Sequence, residues 1–244
     1  MVTEGCFFAC LFLSVSQYHM FSLYANWKSN KNLTSTRAWF YTLREQLSPE
    51  SQKLMQNGLL EIVIFPPAPL IYPLHTLCMD VPGVSVGIQD ISPLDEGKYT
   101  GLINASSVAG MATHAIVGHV EQRQRGDGEE VVLKKYQNAI DNNLTPVLCI
   151  CETSELISNA NIVAYEPVEA IGSGNSASPE SVVKFKDTLK YQPKYFIYGG
   201  SVNVNNCIEY LQPRICDGFL VGKISLDATD FASLTNTCAP YVSG

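Results

Sequence analysis

Eight short apolar runs, each set apart by a longer and more polar stretch, constrain this chain more than any other feature. They are Phe21–Ala25, Glu61–Phe65, Val84–Gly87, Ala115–Val117, Pro146–Ile150, Ile162–Tyr165, Tyr195–Tyr198 and Gly218–Val221. Each has the length of a strand and is almost continuously hydrophobic, as parallel strands buried on both faces are. Arg37–Gln46, Glu129–Asn142, Ser178–Leu189 and Asn205–Leu211, which lie between them, carry helical spacing. Ser178-Pro179-Glu180-Ser181 supplies a helix start, with a cap residue followed by proline at the first helical position. Strands alternating with helices in this number predict an α/β fold, a (β/α)8 barrel. A chain of 244 residues, 46% hydrophobic, can fill one core of that size. No Gly/Ser linker interrupts it, so residues 20–244 are expected to form a single barrel.

One connection breaks the pattern. Between Ile150 and Ile162 only Cys151–Asn161 is available, whereas a parallel crossover needs roughly a dozen residues or more. The connection between strands 5 and 6 is therefore expected to be shortened, with at most a helical stub around Ser154–Ser158. Its loss is expected to uncover part of strands 5 and 6. The apolar run Phe7–Val15, or a neighbouring subunit, is a candidate cover.

Residues 1–19 read as an extension ahead of the barrel. Cys6–Val15 is apolar, but Glu4 precedes it and no Lys or Arg occurs before Lys28, so the positive start of a secretory signal is missing. The run is also too short to cross a bilayer as a helix. Formal charge is −7, with both signs scattered and no basic stripe, which argues against nucleic acid as a partner. An acidic chain can still hold an anionic substrate, because local groups set the field in a pocket. The eight cysteines form no C-x-x-C pair and mostly sit in apolar runs, where a free thiol behaves as a small hydrophobe. Reduced thiols, a cytoplasmic setting and no metal site are expected.

The chemistry gathers at strand ends. Ile162–Tyr165 delivers Glu166 to its tip, followed by Pro167 and a glycine-ended loop to Gly174, which is how a chain places a general base beside a cover. Asn26 and Lys28 are two apart at the end of the first run, so they share a face there. A lysine turned inward is costly without an anion, which makes Lys28 a candidate substrate contact; the alternative is an ammonium reaching solvent. His119 follows Gly118 after the fourth run, placed to donate a hydrogen bond to a substrate oxygen or to serve a structural role. Glu121 is in reach to pair with Lys28. Gly199-Gly200-Ser201 and Gly222-Lys223 end the seventh and eighth runs, where barrels frequently hold phosphate on backbone N–H groups. Ser201 can add a hydroxyl; ordinary tight turns are the alternative.

Asn26-Trp27-Lys28, Gly118-His119-x-Glu121, Ala164-Tyr165-Glu166-Pro167-Val168, Ala170-Ile171-Gly172-Ser173-Gly174, Tyr198-Gly199-Gly200-Ser201-Val202 and Leu220-Val221-Gly222 together resemble the triosephosphate isomerase family, in the family's order from Met20 onward. The resemblance implies a cofactor-free interconversion of dihydroxyacetone phosphate and D-glyceraldehyde 3-phosphate through an enediolate, a step of glycolysis and gluconeogenesis. It implies that Glu166 is the base, His119 the electrophile, Lys28 the cation on developing charge and Asn26 the amide beside it. Gly172, Ser201 and Gly222 match phosphate-binding positions, with Lys223 next to them, and Pro167–Ala177 matches the lid. Gly97-Lys98-Tyr99-Thr100-Gly101 resembles the loop that each subunit of a homodimer inserts beside its partner's site, so Tyr99 and Thr100 are expected at an interface.

The departures are local. Glu169 stands where most members have tryptophan. Val120 replaces a serine beside His119, Gln122 the first arginine of a pair that Arg123 completes, and Leu102 a glutamate after the interface loop. Lys223 replaces the second glycine of the phosphate cradle; it keeps its N–H and gains an ammonium unless its backbone is left-handed, when it is strained. Drift at Val120, Gln122 and Lys223 leaves a rival reading, a barrel that binds a phosphate or a protein partner without turnover. Retention of Asn26, Lys28, His119 and Glu166 speaks for the enzyme.

Overall fold

A computed structural model describes residues 20–167, 176–212 and 214–242. Within them eight strands form a closed parallel barrel in chain order: β1 (Phe21–Asn26), β2 (Leu60–Phe65), β3 (Val84–Ile88), β4 (His114–Val117), β5 (Thr145–Ile150), β6 (Ile162–Tyr165), β7 (Tyr195–Tyr198) and β8 (Gly218–Val221). The seam closes where Ser22 of β1 pairs with Gly218 of β8. Every strand lies within one residue of its apolar run. The helices are α1 (Leu33–Gln46), α2 (Pro49–Gln56), α3 (Ile71–Cys78), α4 (Val120–Arg123), α5 (Glu129–Asp141), α6 (Pro179–Asp187), α7 (Cys207–Leu211) and α8 (Ala228–Val242). No helix among the described residues is long and apolar enough to cross a membrane.

Local chemistry sets the helix ends. α1 begins four residues before its apolar spacing does, because Asn32 and Ser35 cap each other: Ser35 N–H donates to Asn32 Oδ1 at 3.0 Å, and Asn32 N–H to Ser35 Oγ at 2.9 Å. α6 starts as expected, on the Ser178 cap and Pro179, but stops at Asp187 rather than Leu189.

Two layers of apolar side chains hold the barrel. One lies between strands and helices. The other fills the barrel itself, where Tyr24, Phe65, Ile116, Val147 and Ile197 meet. Phe65 lies against Gly87, where a Cβ would come within 2.3 Å of its ring; that position has room only for glycine. At the base of the barrel Glu61 accepts hydrogen bonds from Ser22 Oγ (2.7 Å) and Tyr24 OH (3.3 Å). His114 is buried beside them, with its Nδ1 2.8 Å from the Thr113 hydroxyl.

The connection from β5 to β6 is as short as the sequence requires, carrying only a 3-10 turn over Thr153–Glu155. The expected exposure of strands 5 and 6 does not follow. Leu148, Ile150 and Val163 are fully buried. Leu156 and Ile157 turn inward onto the core, and the Tyr165 ring stacks on Phe185 of α6 at 3.6 Å between centroids. Leu156 and Ile157 still line a surface cavity of about 560 Å³ with Leu133 and Ile140, both of them exposed. Phe7–Val15 and the rest of residues 1–19 lie outside the described residues, as do 168–175, which include Glu169, Gly172 and most of the expected lid.

Candidate active site

The strand tips converge on a cavity of about 990 Å³ lined by Asn26, Lys28, His119, Glu166, Ser201, Gly222 and Lys223, among others. A second cavity of about 1010 Å³ opens where β3, β4 and β5 begin, around Val84, Thr113 and Thr145, and contains none of these residues. Position at the carboxyl ends of the strands separates the two, since that is the face on which barrels of this kind carry their chemistry.

Glu166 is the first residue past β6, and its amide still pairs with Ile150 O at 2.9 Å, so its direction is fixed by the sheet. Its side chain is buried. Oε1 lies 3.2 Å from His119 Nε2, and Oε2 has no hydrogen-bond partner among the described residues. Burial raises its pKa above the ordinary glutamate value, opposed by the neighbouring His119 ring, by hydrogen bonds and by the Lys28 ammonium. Gly199 gives this side chain its room, since a Cβ there would lie 2.8 Å from Glu166 Cγ and 3.2 Å from Tyr165 O.

His119 caps α4. Its Nδ1 accepts the backbone N–H of Glu121 at 3.2 Å, which places the ring proton of the neutral form on Nε2, the nitrogen facing the cavity and Glu166. Gly118 makes the turn possible with φ +72. Arg123 ties it down, donating from Nε to Gly118 O at 2.8 Å and pairing with Glu155 at 3.4 Å. Val120 and Gln122 donate no side-chain hydrogen bond to this turn; the backbone and Arg123 hold it.

Lys28 reaches the cavity by a different route from strand alternation. β1 ends at Asn26, and Lys28 stands two residues on in a left-handed turn with φ +50, a conformation costing roughly 1–2 kcal/mol for a residue with a side chain. Asn26 Oδ1 accepts the Lys28 N–H at 3.0 Å, and Lys28 O accepts the Gln89 carboxamide at 2.8 Å. The ammonium pairs with Glu121 at 2.6 Å, the partner expected from the sequence. Burial works against the Glu121 charge, but Lys28, His119 and Arg125 hold its pKa below the usual range.

Ser201, Gly222 and Lys223 lie on the cavity wall. Lys223 is not left-handed, so it is free of the strain that replacing a glycine threatened. The Gly199 N–H is consumed by the sheet, donating to Tyr165 O at 2.8 Å. Gly172 lies outside the described residues. Tyr99 and Thr100 do not line the cavity of their own chain; they sit on an exposed loop whose Gly101 has φ +88. Gln89 was missed in the sequence although it directly follows β3, the position rule that found the others.

The triosephosphate isomerase family model matches residues 21–238. Triosephosphate isomerase of Alkalilimnicola ehrlichii is 30% identical, over 88% of this chain and 97% of the relative. The enzyme of Thermus thermophilus is 30% identical over 86% and 95%, and that of Mesomycoplasma hyorhinis 32% over 86% and 95%. With the closed barrel and the convergence of Lys28, His119 and Glu166, this chain belongs to the triosephosphate isomerase family.

Proposed function

We propose that Glu166, His119, Lys28 and Asn26 carry the triose phosphate isomerisation that family membership gives this chain. Glu166 takes the proton from the carbon beside the substrate carbonyl and returns it to the neighbouring carbon; no proton is lost overall. As the carbonyl oxygen gains charge, His119 Nε2–H donates to it, and the same imidazole relays a proton between the two oxygens of the enediolate. Lys28 stabilises that charge from a backbone fixed before substrate arrives. Asn26 spends Oδ1 on the Lys28 turn and presents Nδ2. Burial makes Glu166 a stronger base than in water, which suits proton abstraction from carbon. The observation carrying this reading is the 3.2 Å approach of His119 Nε2 to Glu166 Oε1 over the cavity. Substrate takes over the Nε2 donor when it binds.

Ser201, Gly222 and Lys223 are assigned to the substrate phosphate, with the Lys223 ammonium adding a charge to a site otherwise built on amides and a hydroxyl. A homodimer is proposed through Tyr99 and Thr100. Large hydrophobic side chains exposed between positions 72 and 102, namely Tyr72, Met79, Leu94, Tyr99 and Leu102, support it. A cytoplasmic setting is supported by the free thiols of Cys78, Cys149, Cys151, Cys207, Cys216 and Cys238.

A coupled assay started from each triose phosphate, with the molar mass of the same preparation, tests this reading. Turnover in both directions by a dimer is expected. Phosphate binding without turnover would favour the inactive barrel.

A further inference from the structure

We infer that Trp39 is a positioning residue for the phosphate grip, acting through the turn that follows β8; the inference rests on the assignment of Gly222 and Lys223 to the substrate phosphate. That turn, Lys223–Leu226, is a short 3-10 segment, too short to hold its own shape. Its main fastening from outside is at one atom. The carbonyl oxygen of Ser225 accepts two indole N–H groups, Trp27 Nε1 at 3.1 Å and Trp39 Nε1 at 2.9 Å. Ser225 and both indoles are buried. A carbonyl oxygen has two lone pairs, and here both are taken. The indoles brace each other edge to face at 4.8 Å.

Ser225 passes this constraint to the cavity wall. Its N–H and hydroxyl both donate to Gly222 O, at 2.9 and 2.6 Å. Gly222 O is thereby turned into the bend. In a planar trans peptide the carbonyl and the following N–H point opposite ways, so the Lys223 N–H is turned out of the bend. The direction of that amide is set by Ser225, and Ser225 is set by the two tryptophans. Lys31 adds a third donor, from Nζ to Leu226 O, while lying 5.6 Å over the Trp27 ring. Trp27 immediately precedes Lys28. The lysine loop after β1 and the phosphate turn after β8 are thus one fastened unit, and Trp39 is the part of it that belongs to neither loop.

Trp39→Phe keeps an aromatic ring and deletes the donor. The readouts are inhibition by inorganic phosphate and kcat/KM for D-glyceraldehyde 3-phosphate and for D-glyceraldehyde, which lacks the phosphate. The variant is expected to weaken phosphate inhibition and to lower kcat/KM for the phosphorylated substrate by three- to tenfold each, with turnover of D-glyceraldehyde unchanged. An equal fall with both substrates, or unchanged phosphate inhibition, overturns the inference. Should Trp39→Phe not fold, Ser225→Ala removes the hydroxyl that carries the restraint to Gly222 O, and the same pattern or its absence decides. Wild-type protein that neither responds to phosphate nor prefers the phosphorylated triose would instead refute the phosphate assignment itself.

Discussion

The Gln89 carboxamide nitrogen donates to two carbonyl oxygens, Lys28 O and Phe65 O, each at 2.8 Å. It bridges the left-handed turn after β1 to the end of β2 and holds Lys28 where its ammonium meets Glu121. Gln89→Ala leaves the strained turn with one fewer restraint. Only the bond to Lys28 O restrains the turn directly, and one hydrogen bond contributes about 0.5–1.5 kcal/mol, so kcat/KM is expected to fall about two- to twelvefold, with the far-ultraviolet dichroism unchanged. Steady-state kinetics checks this, and unaltered kcat/KM would show that Lys28 holds its place without Gln89.

Gly199→Ala places a methyl group 2.8 Å from Glu166 Cγ. The carboxylate must shift, since the other contact is the backbone oxygen of Tyr165. Displacement of a reacting group by about 1 Å can cost on the order of a hundredfold in rate. We expect a fall in kcat of that order with KM changed far less.

Eight strands were legible because a parallel strand buried on both faces leaves a continuous apolar trace, and the residues at their tips followed by position. Glu166, His119 and the Lys28–Glu121 pair were found this way. Hydrogen bonds between distant segments left no trace in sequence: the Trp39 indole reaches Ser225, and Gln89 serves Lys28, across gaps that no local spacing encodes. The short link after β5 was plain in its length, but length alone does not say what lies over the strands, and Leu148 and Val163 are buried all the same.

Burial raises the Glu166 pKa, and the group must be ionised to act. Activity is therefore lost as pH falls through a value higher than the ordinary glutamate pKa of about 4.3. The acid limb of kcat/KM against pH should have its midpoint above that value. Full activity retained at pH 4 would contradict the assignment.

His114 titrates in the opposite sense. Burial lowers its pKa, and the charge of Glu61 opposes this only in part. The folded state binds the proton less readily than the unfolded chain, so stability is lost as pH falls below about 6.5, the unfolded value. His114→Phe should flatten that part of the pH–stability curve in denaturant titrations at pH 5 and 7. An unchanged slope would assign the pH dependence to other groups.

Lys135 is buried between two carboxylates, 2.7 Å from Asp90 and 2.6 Å from Asp127. Lys135→Ala leaves both anions facing each other with no cation; because both carboxylates still reach solvent, the loss is expected to be about 1–3 kcal/mol. Lys135→Met in an Asp90→Asn, Asp127→Asn background should recover much of that loss, as measured by chemical denaturation.

The central claim is that Glu166 moves the proton. The most direct test is kcat of Glu166→Gln beside its affinity for inorganic phosphate. A positioned base contributes about 10²–10⁴-fold, so kcat is expected to fall by at least a hundredfold while phosphate binds as in the wild type. Turnover within a few-fold of wild type, with phosphate binding intact, would contradict the account.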